Sequence, residues 1–357
     1  MNRIVRYVLL FVVVAIVVVA GSGLWAYAKL GGFKSVARTF AGTCVMVTGP
    51  GSAEDIAVDR ERGLAYLSVL DRAALVGGSH VGGGVAVYDL DASLPTFDFS
   101  SIPEPFDFRP HGLSLYKEPN GDRRLYVINH RSSGQETVEL FNVLGGDTFA
   151  HVESFAHPLL ASPNDLAVVG PRRFYIANDS GKLSGFERTL DMLFGAGFID
   201  LVYVDGDTAR TVLEGVPMAA GIAASADARQ VYVAFTTRKT VAVYDRDPAT
   251  GELGLRAEVA VDFGVDNIDV AADGALWAAG HPSFIAMIQH FASGAAEPSP
   301  SAIVRIPIVD GDPGPPETVY LDPGTEFSTA SVAAVTGDTM LVGGITPKKI
   351  LRCTLPR

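Results

Sequence analysis

The sequence predicts an all-β fold, a six-bladed β-propeller preceded by an N-terminal transmembrane helix. Three observations carry that expectation. First, a short phrase recurs six times, opening at Glu54, His111, Asn164, Ala220, Asp266 and Ala330, with 46 to 64 residues between successive openings. Second, each opening starts a short alternating apolar run that a more aromatic run soon answers, as in Leu125-Tyr126-Val127-Ile128 and Phe174-Tyr175-Ile176-Ala177. A repeat of this period built from short strands is the mark of propeller blades of about four strands each. Third, 38 Gly and 21 Pro punctuate runs of Val, Ala, Leu and Tyr without a long amphipathic helix, so the 357 residues suit one closed ring.

The chain opens with 22 uncharged residues from Tyr7 to Ala28, preceded by Arg3 and Arg6 and closed by Trp25, Tyr27 and Lys29. About 20 residues suffice to span a bilayer as a helix. Basic residues before the span and aromatics after it predict a cytoplasmic start and an exported ring, periplasmic or extracellular. A cleaved signal peptide is the competing reading, but its apolar region is usually only about 7–15 residues. The longer run favours an uncleaved signal anchor, while small residues at Ala20-Gly21-Ser22 and Ala26-Tyr27-Ala28 leave secretion after cleavage open. The expected division is an anchor over 1–30, a linker over 31–43 and a propeller over 44–357.

Only two cysteines occur, Cys44 just before the expected first blade and Cys353 near the end. A lone pair at opposite ends of an exported ring is well placed for a disulfide; the alternative is two unrelated buried thiols. Blade one is expected from about Val45 to Leu90, with a Gly-rich loop around His80. Blade two carries His111 and His130, and blade three is expected to begin near His151. The stretch Leu190 to Ile199 breaks the strand rhythm as a short helix or a loop. Blade five holds Asp266, Asn267, Trp277 and His281 and is followed by an apolar insertion from Phe284 to Phe291. Blade six is expected to combine both ends of the chain.

A net charge of −12, with no basic run beyond the N-terminus, argues against nucleic acid as a partner and suits either plain solubility or attraction of cations. In a propeller, equivalent positions of successive blades converge on one axis. The openings would bring together Glu54, Asp55, Asn164, Asp165, Asp266 and Asn267, all oxygen donors. Hard oxygen ligands in that number suit Ca²⁺, which takes about 6–8 of them. Individually each could be no more than a turn or strand-start residue, but so many carboxylates without a cation would repel one another. His111 and His130, in one blade, could form a proton relay, and His281 holds the matching strand end of blade five; the plainer reading is hydrogen-bonded channel residues. No role is assigned to His80, His151, His157 or His290. With no Gly-x-Ser-x-Gly elbow and no zinc-protease motif, a hydrolytic activity would rest on metal and activated water.

Several phrases in order resemble the paraoxonase/arylesterase family of calcium-dependent lactonases. They are Ser52-Ala53-Glu54-Asp55, Arg109-Pro110-His111-Gly112, Asn129-His130, Thr137-Val138-Glu139-Leu140-Phe141, Pro163-Asn164-Asp165, Ala177-Asn178-Asp179, Asp266-Asn267-Ile268 and Gly280-His281-Pro282. The resemblance spans Cys44 to Cys353. It implies a six-bladed propeller closed by a terminal disulfide, one catalytic and one structural calcium, and hydrolysis of small apolar lactones or aryl esters. Carried onto this chain, Glu54, Asn164, Asp266 and Asn267 would hold the catalytic ion. Asp55, Asp165 and the backbone carbonyl of Leu113 would hold the structural one. His111 and His130 match the family's histidine dyad and His281 a third pocket histidine. One position departs, since Ala220 stands where the family has an asparagine ligand. Two other readings stay open: a non-catalytic, calcium-stabilised propeller that binds a ligand, and a relative of the gluconolactonases or strictosidine synthases. The terminal cysteines and the histidine phrases favour the first family.

Overall fold

The computed structural model describes residues 3–92, 94–100 and 107–356. Met1 and Asn2 of the expected anchor and Arg357 at the end of the ring lie outside the described residues. Blade one consists of Ser52–Asp59, Leu64–Leu70 and Gly84–Asp89, extended by a bridge from Ala86 to Phe99. Blades two to five have four antiparallel strands each: Pro110–Lys117 to Thr148–Phe155, Pro163–Gly170 to Thr208–Val216, Ala219–Ala224 to Leu253–Ala260, and Gly264–Val270 to Glu317–Asp322. The first strand of each blade touches the first strand of the next, from Ser52–Asp59 round to Ala330–Thr336 and back, so the ring is closed.

Closure is made by the chain ends. Blade six takes Ala330–Thr336, Thr339–Gly344 and Lys349–Thr354 from the C-terminal side, and its outermost strand is Thr43–Thr48 from the N-terminal side. In that pairing Cys44 lies opposite Cys353, and the two are joined by a disulfide across a sequence separation of 309. Two expected boundaries are therefore corrected. Val45 belongs to the last blade rather than the first, because its strand pairs with Lys349–Thr354, where Val45 lies opposite Arg352. His151 lies on the outermost strand of blade two, paired with Phe141, and blade three starts at Pro163.

Both faces of a blade are covered by neighbouring blades, which explains why apolar residues fill both phases of the second strands. Among the described residues, six buried clusters result, one at each blade boundary. Tyr66, Leu125 and Phe141 pack between blades one and two, for example, and Tyr175, Val231 and Phe235 between blades three and four. Burial of such side chains stabilises by about 1.5–3 kcal/mol each.

Among the described residues, four helices depart from the strand pattern. Helix α1 (Arg3–Lys29) has mean hydropathy 2.8 over its best window and is the one helix among the described residues long and apolar enough to cross a membrane. Helices α2 (Arg72–Val76), α3 (Gly185–Phe194) and α4 (Phe284–Ala292) each follow the second strand of blades one, three and five, so all three lie on one face of the ring. The break at Leu190–Ile199 is thus the end of a helix. It starts with a capping box between Ser184 and Glu187, and Gly195 ends it in the left-handed conformation that a residue with a side chain adopts only at a cost. The apolar insertion after His281 is also helical, capped by Ser283.

The C-terminal end of α1 meets the same face. The Ile285 amide donates to the Leu30 carbonyl at 3.2 Å, Ser283 donates to Gly31, and Trp25 stacks on Phe194 with centroids 5.5 Å apart. Residues 34–39 are laid along blade five, with Lys34 paired to Asp262 at 2.8 Å and Thr39 bridged to Leu321.

Opening the disulfide frees a loop so long that the unfolded chain gains about 5–6 kcal/mol of entropy in the chain-entropy model, an upper value. The Cys44→Ser variant is expected to melt well below the native protein, and dithiothreitol to lower the native melting temperature but not that of the variant. Equal melting temperatures for the two proteins would show that strand pairing alone holds the ring shut.

Candidate functional site

Each blade opening proves to be a β-bulge. The register between first and second strands slips between Ala53 and Ile56, Pro110 and Leu113, Ala219 and Ile222, Val265 and Ile268, Ala330 and Val332, and around Asn164. A bulge leaves a residue without a cross-strand partner and re-aims its side chain. The unpaired residues are Glu54 and Asp55, His111 and Gly112, Asn164, Ala220 and Gly221, Asp266 and Asn267, and Ser331. The inner strands nearly touch there. A Cβ on Gly112 would sit 2.5 Å from the Asp165 Cα, and one on Gly221 would sit 2.3 Å from the Asp266 carbonyl oxygen. Glycine follows the opening residue in blades two and four for this steric reason.

Glu54, Asp55, Asn164, Asp165, Asp266 and Asn267 are all buried. Glu54 Oε1 accepts from the Asn267 amide at 2.9 Å, and the Glu54 carbonyl accepts from Ser331 at 2.5 Å. Glu54 Oε2, Asn164 Oδ1 and Asn267 Oδ1 have no hydrogen-bond partner. Buried oxygens left in this state are destabilising by about 1–3 kcal/mol each, more when charged, and a cation bound among them would compensate all three. Among the described residues, no group of three or more His, Cys, Asp or Glu side chains forms a metal site on its own. The oxygen set depends on the two asparagine amides, a neutral-plus-anionic mixture that fits Ca²⁺.

Charge tells the same story. Burial pushes Asp266 up, with the neighbouring His281 offsetting part of the effect. Asp55 and Asp165 are likewise raised by burial, then by the negative charges of Glu54 and Asp55 respectively. Burial also opposes ionisation of Glu54, but His111, Arg72 and Asn267 together hold it below the usual carboxylate range. Carboxylates resisting ionisation in concert are groups that a cation would stabilise.

Asp55 and Asp165 sit one layer deeper and tie blades together. Asp55 Oδ2 accepts from the Leu113 amide and Oδ1 from Ile56, both at 2.8 Å. Asp165 repeats the arrangement one blade pair further on, accepting from Ile222 at 2.8 Å and Leu166 at 2.7 Å. Leu113 therefore meets Asp55 through its N–H. Ala220 is buried in the first strand of blade four, beside the Asp266–Asn267 bulge, and offers no side-chain oxygen.

The histidines are brought together as well. His111 Nδ1 lies 2.7 Å from His130 Nε2, and His111 Nε2 faces Glu54 Oε2 at 3.5 Å. His130 Nδ1 in turn contacts the Glu136 carboxylate. His281 is separate from this chain, with Nε2 3.0 Å from Asp266 Oδ2 and Nδ1 unpartnered. His111, His130, Arg109 and Arg72 border a cavity of about 390 Å³ whose apolar wall includes Leu70, Leu75, Phe291 and Ile345. Helices α2 and α4 supply much of that wall, which explains their place over this face.

Three residues to which the sequence assigned no role also shape the site. Arg72, buried in α2, donates to the Pro110 carbonyl at 2.6 Å and the Ser52 carbonyl at 3.2 Å, pinning the strands that carry Glu54 and His111. Glu136 is the direct cross-strand partner of His130; reading that hairpin's register would have found it. Glu139 is fully buried and accepts from Asn129 at 3.0 Å, Thr137 at 2.6 Å and Arg131 at 2.8 Å, while Asn129 accepts from the Arg109 amide at 2.9 Å. This knot fixes the turn before His111 and the strand end bearing His130.

Comparison with known proteins follows the same lines. The family model described as Arylesterase matches residues 75–355. Mouse serum paraoxonase/arylesterase 1 is 32% identical over 272 residues, covering 76% of this chain and 73% of that one. Rabbit serum paraoxonase/lactonase 3 is 28% identical over 278 residues, with coverage of 76% and 77%. Among solved structures, a propeller provisionally described as a gluconolactonase superposes with a TM-score of 0.55 at 16% identity, covering 91% of this chain and 97% of the other. That likeness is one of fold.

The Glu139 knot has a consequence for acid stability. Burial works against its charge, but Ser154, Thr137, Asn129 and Arg131 together bring the carboxyl down from 4.5 to about 2. A depressed native value means the stabilisation is complete above roughly pH 4.5 and is lost as the pH falls towards 2. Denaturant melts are expected to show a loss of up to about 3 kcal/mol across that window that is absent in Glu139→Gln. Identical acid profiles for the two proteins would contradict this assignment.

Proposed function

The chain belongs to the arylesterase family, and on that premise we propose a membrane-anchored, calcium-dependent enzyme that acts on small apolar lactones and aryl esters. Ester and lactone hydrolysis is the activity of the family to which it belongs. The observation that carries the calcium reading is the set of orphaned oxygens on Glu54, Asn164 and Asn267 beside the Asp266 carboxylate. These four would hold the catalytic ion. Asp55, Asp165 and the Leu113 carbonyl would hold a second, structural one. Bound there, calcium supplies Lewis-acid polarisation of the ester carbonyl and compensates the oxyanion.

The chain's own residues supply the rest. His111 lies between the oxygen set and the cavity, so it is the group to take a proton from the attacking water. The hydroxide adds to the carbonyl carbon, and the tetrahedral adduct expels an alkoxide or phenoxide that recovers the proton from His111. His130 supports His111 through their 2.7 Å contact, and His281 orients Asp266 at 3.0 Å. The apolar wall of Leu70, Leu75, Phe291 and Ile345 suits the hydrocarbon part of a lactone or aryl ester. We further assign residues 1–30 to an anchor, 31–43 to a strap and 44–357 to the hydrolytic ring, with the ring on the exported side, where the disulfide is stable.

The full chain in detergent with calcium is expected to hydrolyse phenyl acetate and δ-valerolactone, and to lose that activity with a chelator and regain it with added calcium. His111→Gln is expected to lower kcat by roughly 10²–10⁴-fold with calcium binding intact. Tight calcium binding with no turnover of any ester or lactone would instead establish a calcium-stabilised binding propeller. Separately, Ala220→Asn is expected to tighten calcium binding measured by calorimetry. An unchanged affinity would place that position outside the ligand ring.

A further inference from the structure

We infer that Glu136 is a positioning residue for the histidine pair: it dictates which nitrogen of each imidazole carries the proton, and so leaves the lone pair of the base His111 on Nε2, the nitrogen that faces Glu54. The inference deepens the hydrolytic reading above and rests on it for its catalytic consequence. Its structural half stands on geometry alone.

Glu136 and His130 are paired residues across a tight hairpin. The strand Arg123–His130 turns through residues 131–135, with Gly134 at φ 81°, and returns as Glu136–Leu144. The Arg131 amide closes the turn on the Gln135 carbonyl at 3.1 Å. Directly opposed side chains of an antiparallel pair lie within contact distance, and the Glu136 carboxylate meets His130 Nδ1. Glu136 and His130 are both only partly exposed, at 19% and 33%.

A carboxylate can only accept, so the proton must be on His130 Nδ1. Neutral imidazole carries one N–H, which leaves His130 Nε2 as an acceptor. That nitrogen lies 2.7 Å from His111 Nδ1, so His111 must place its own proton on Nδ1. The lone pair of His111 is then on Nε2, the nitrogen facing Glu54 and the oxygen set. When Nε2 takes a proton from water, the Nδ1 proton can pass to His130 Nε2. The resulting imidazolium then lies between a neutral His111 and the Glu136 carboxylate. Protons and charge balance along the chain, and the positive charge ends beside the Glu136 carboxylate. Without Glu136, either tautomer of His130 is available, and half of the alternatives put a proton where His111 needs a lone pair.

The experiment uses the full chain labelled with ¹⁵N-histidine; seven histidines keep the spectrum tractable. Two-bond ¹H–¹⁵N correlations report the tautomer of each ring, with His111→Gln and His130→Gln providing assignments. Native protein is expected to show Nδ1–H for both rings, and Glu136→Gln a mixed or reversed pattern. An Nε2–H tautomer at His130 in the native protein would overturn the inference whether or not any ester is turned over. In the calcium-loaded enzyme, Glu136→Ala is expected to lower phenyl acetate kcat about 10²-fold with KM and calcium affinity within about twofold of native. Formate is expected to restore part of that rate, because a cavity of about 580 Å³ lined by Glu136, His157 and Lys182 gives it access. Native kcat in Glu136→Ala would also overturn the inference. If the native enzyme turns over no ester, the hydrolytic reading fails, and the tautomers still decide what Glu136 does.

Discussion

The structure depends on a crowding of like charge that only ring closure can produce. Six inner strands pack around one axis, and at the bulges they come so close that Gly112 and Gly221 have no room for a Cβ. Into that space the chain places Glu54, Asp55, Asp165 and Asp266, all buried. Taking several carboxylates out of water without compensation is strongly unfavourable. Partial compensation comes from backbone amides at Asp55 and Asp165 and from Arg72 and His111 around Glu54. The oxygens still lacking partners are where a bound cation would complete the balance. Function and fold stability thus meet in one place, since the groups that would hold the ion also join neighbouring blades.

Rigidity around that axis comes from polar ties as much as from the apolar layers between blades. Asp55 links blade one to blade two, and Asp165 links blade three to blade four. Asp269 does the same from blade five to six by accepting the Val335 amide at 2.9 Å, and the Arg60 guanidinium at 2.6 Å. Arg72 and the Glu139 knot hold the three strands that carry Glu54, His111 and His130. Each tie is buried enough for its loss to leave an unpaired group, so the site geometry is protected by the same penalty that protects the fold. In the proposed mechanism, the moving parts are protons on the His111–His130 pair.

The ring's face is also its point of attachment. Helices α2, α3 and α4 leave the strands on the side where the histidines lie, and the apolar helix α1 docks there through Leu30, Gly31 and Trp25. An apolar cavity wall and an apolar helix on one face suit a substrate that partitions towards a hydrocarbon phase.

By itself, the sequence determined the number of blades, the chain-end closure and the identity of the polar openings. These are properties of pattern: repeat period, strand alternation and residue type survive without coordinates. His111, His130 and Glu54 were legible because each opens or ends a strand at a repeated place. Only the tertiary structure decided that the openings are bulges, which is a matter of register between strands rather than of composition. It also moved Val45 into blade six, opposite Arg352, and His151 into blade two, opposite Phe141, because strand pairing joins residues far apart in sequence. Glu136, Arg72 and Glu139 lie outside the repeat, on a hairpin return, a five-residue helix and a third-strand position. Their contacts depend on register and loop length, quantities that alternation and spacing do not encode.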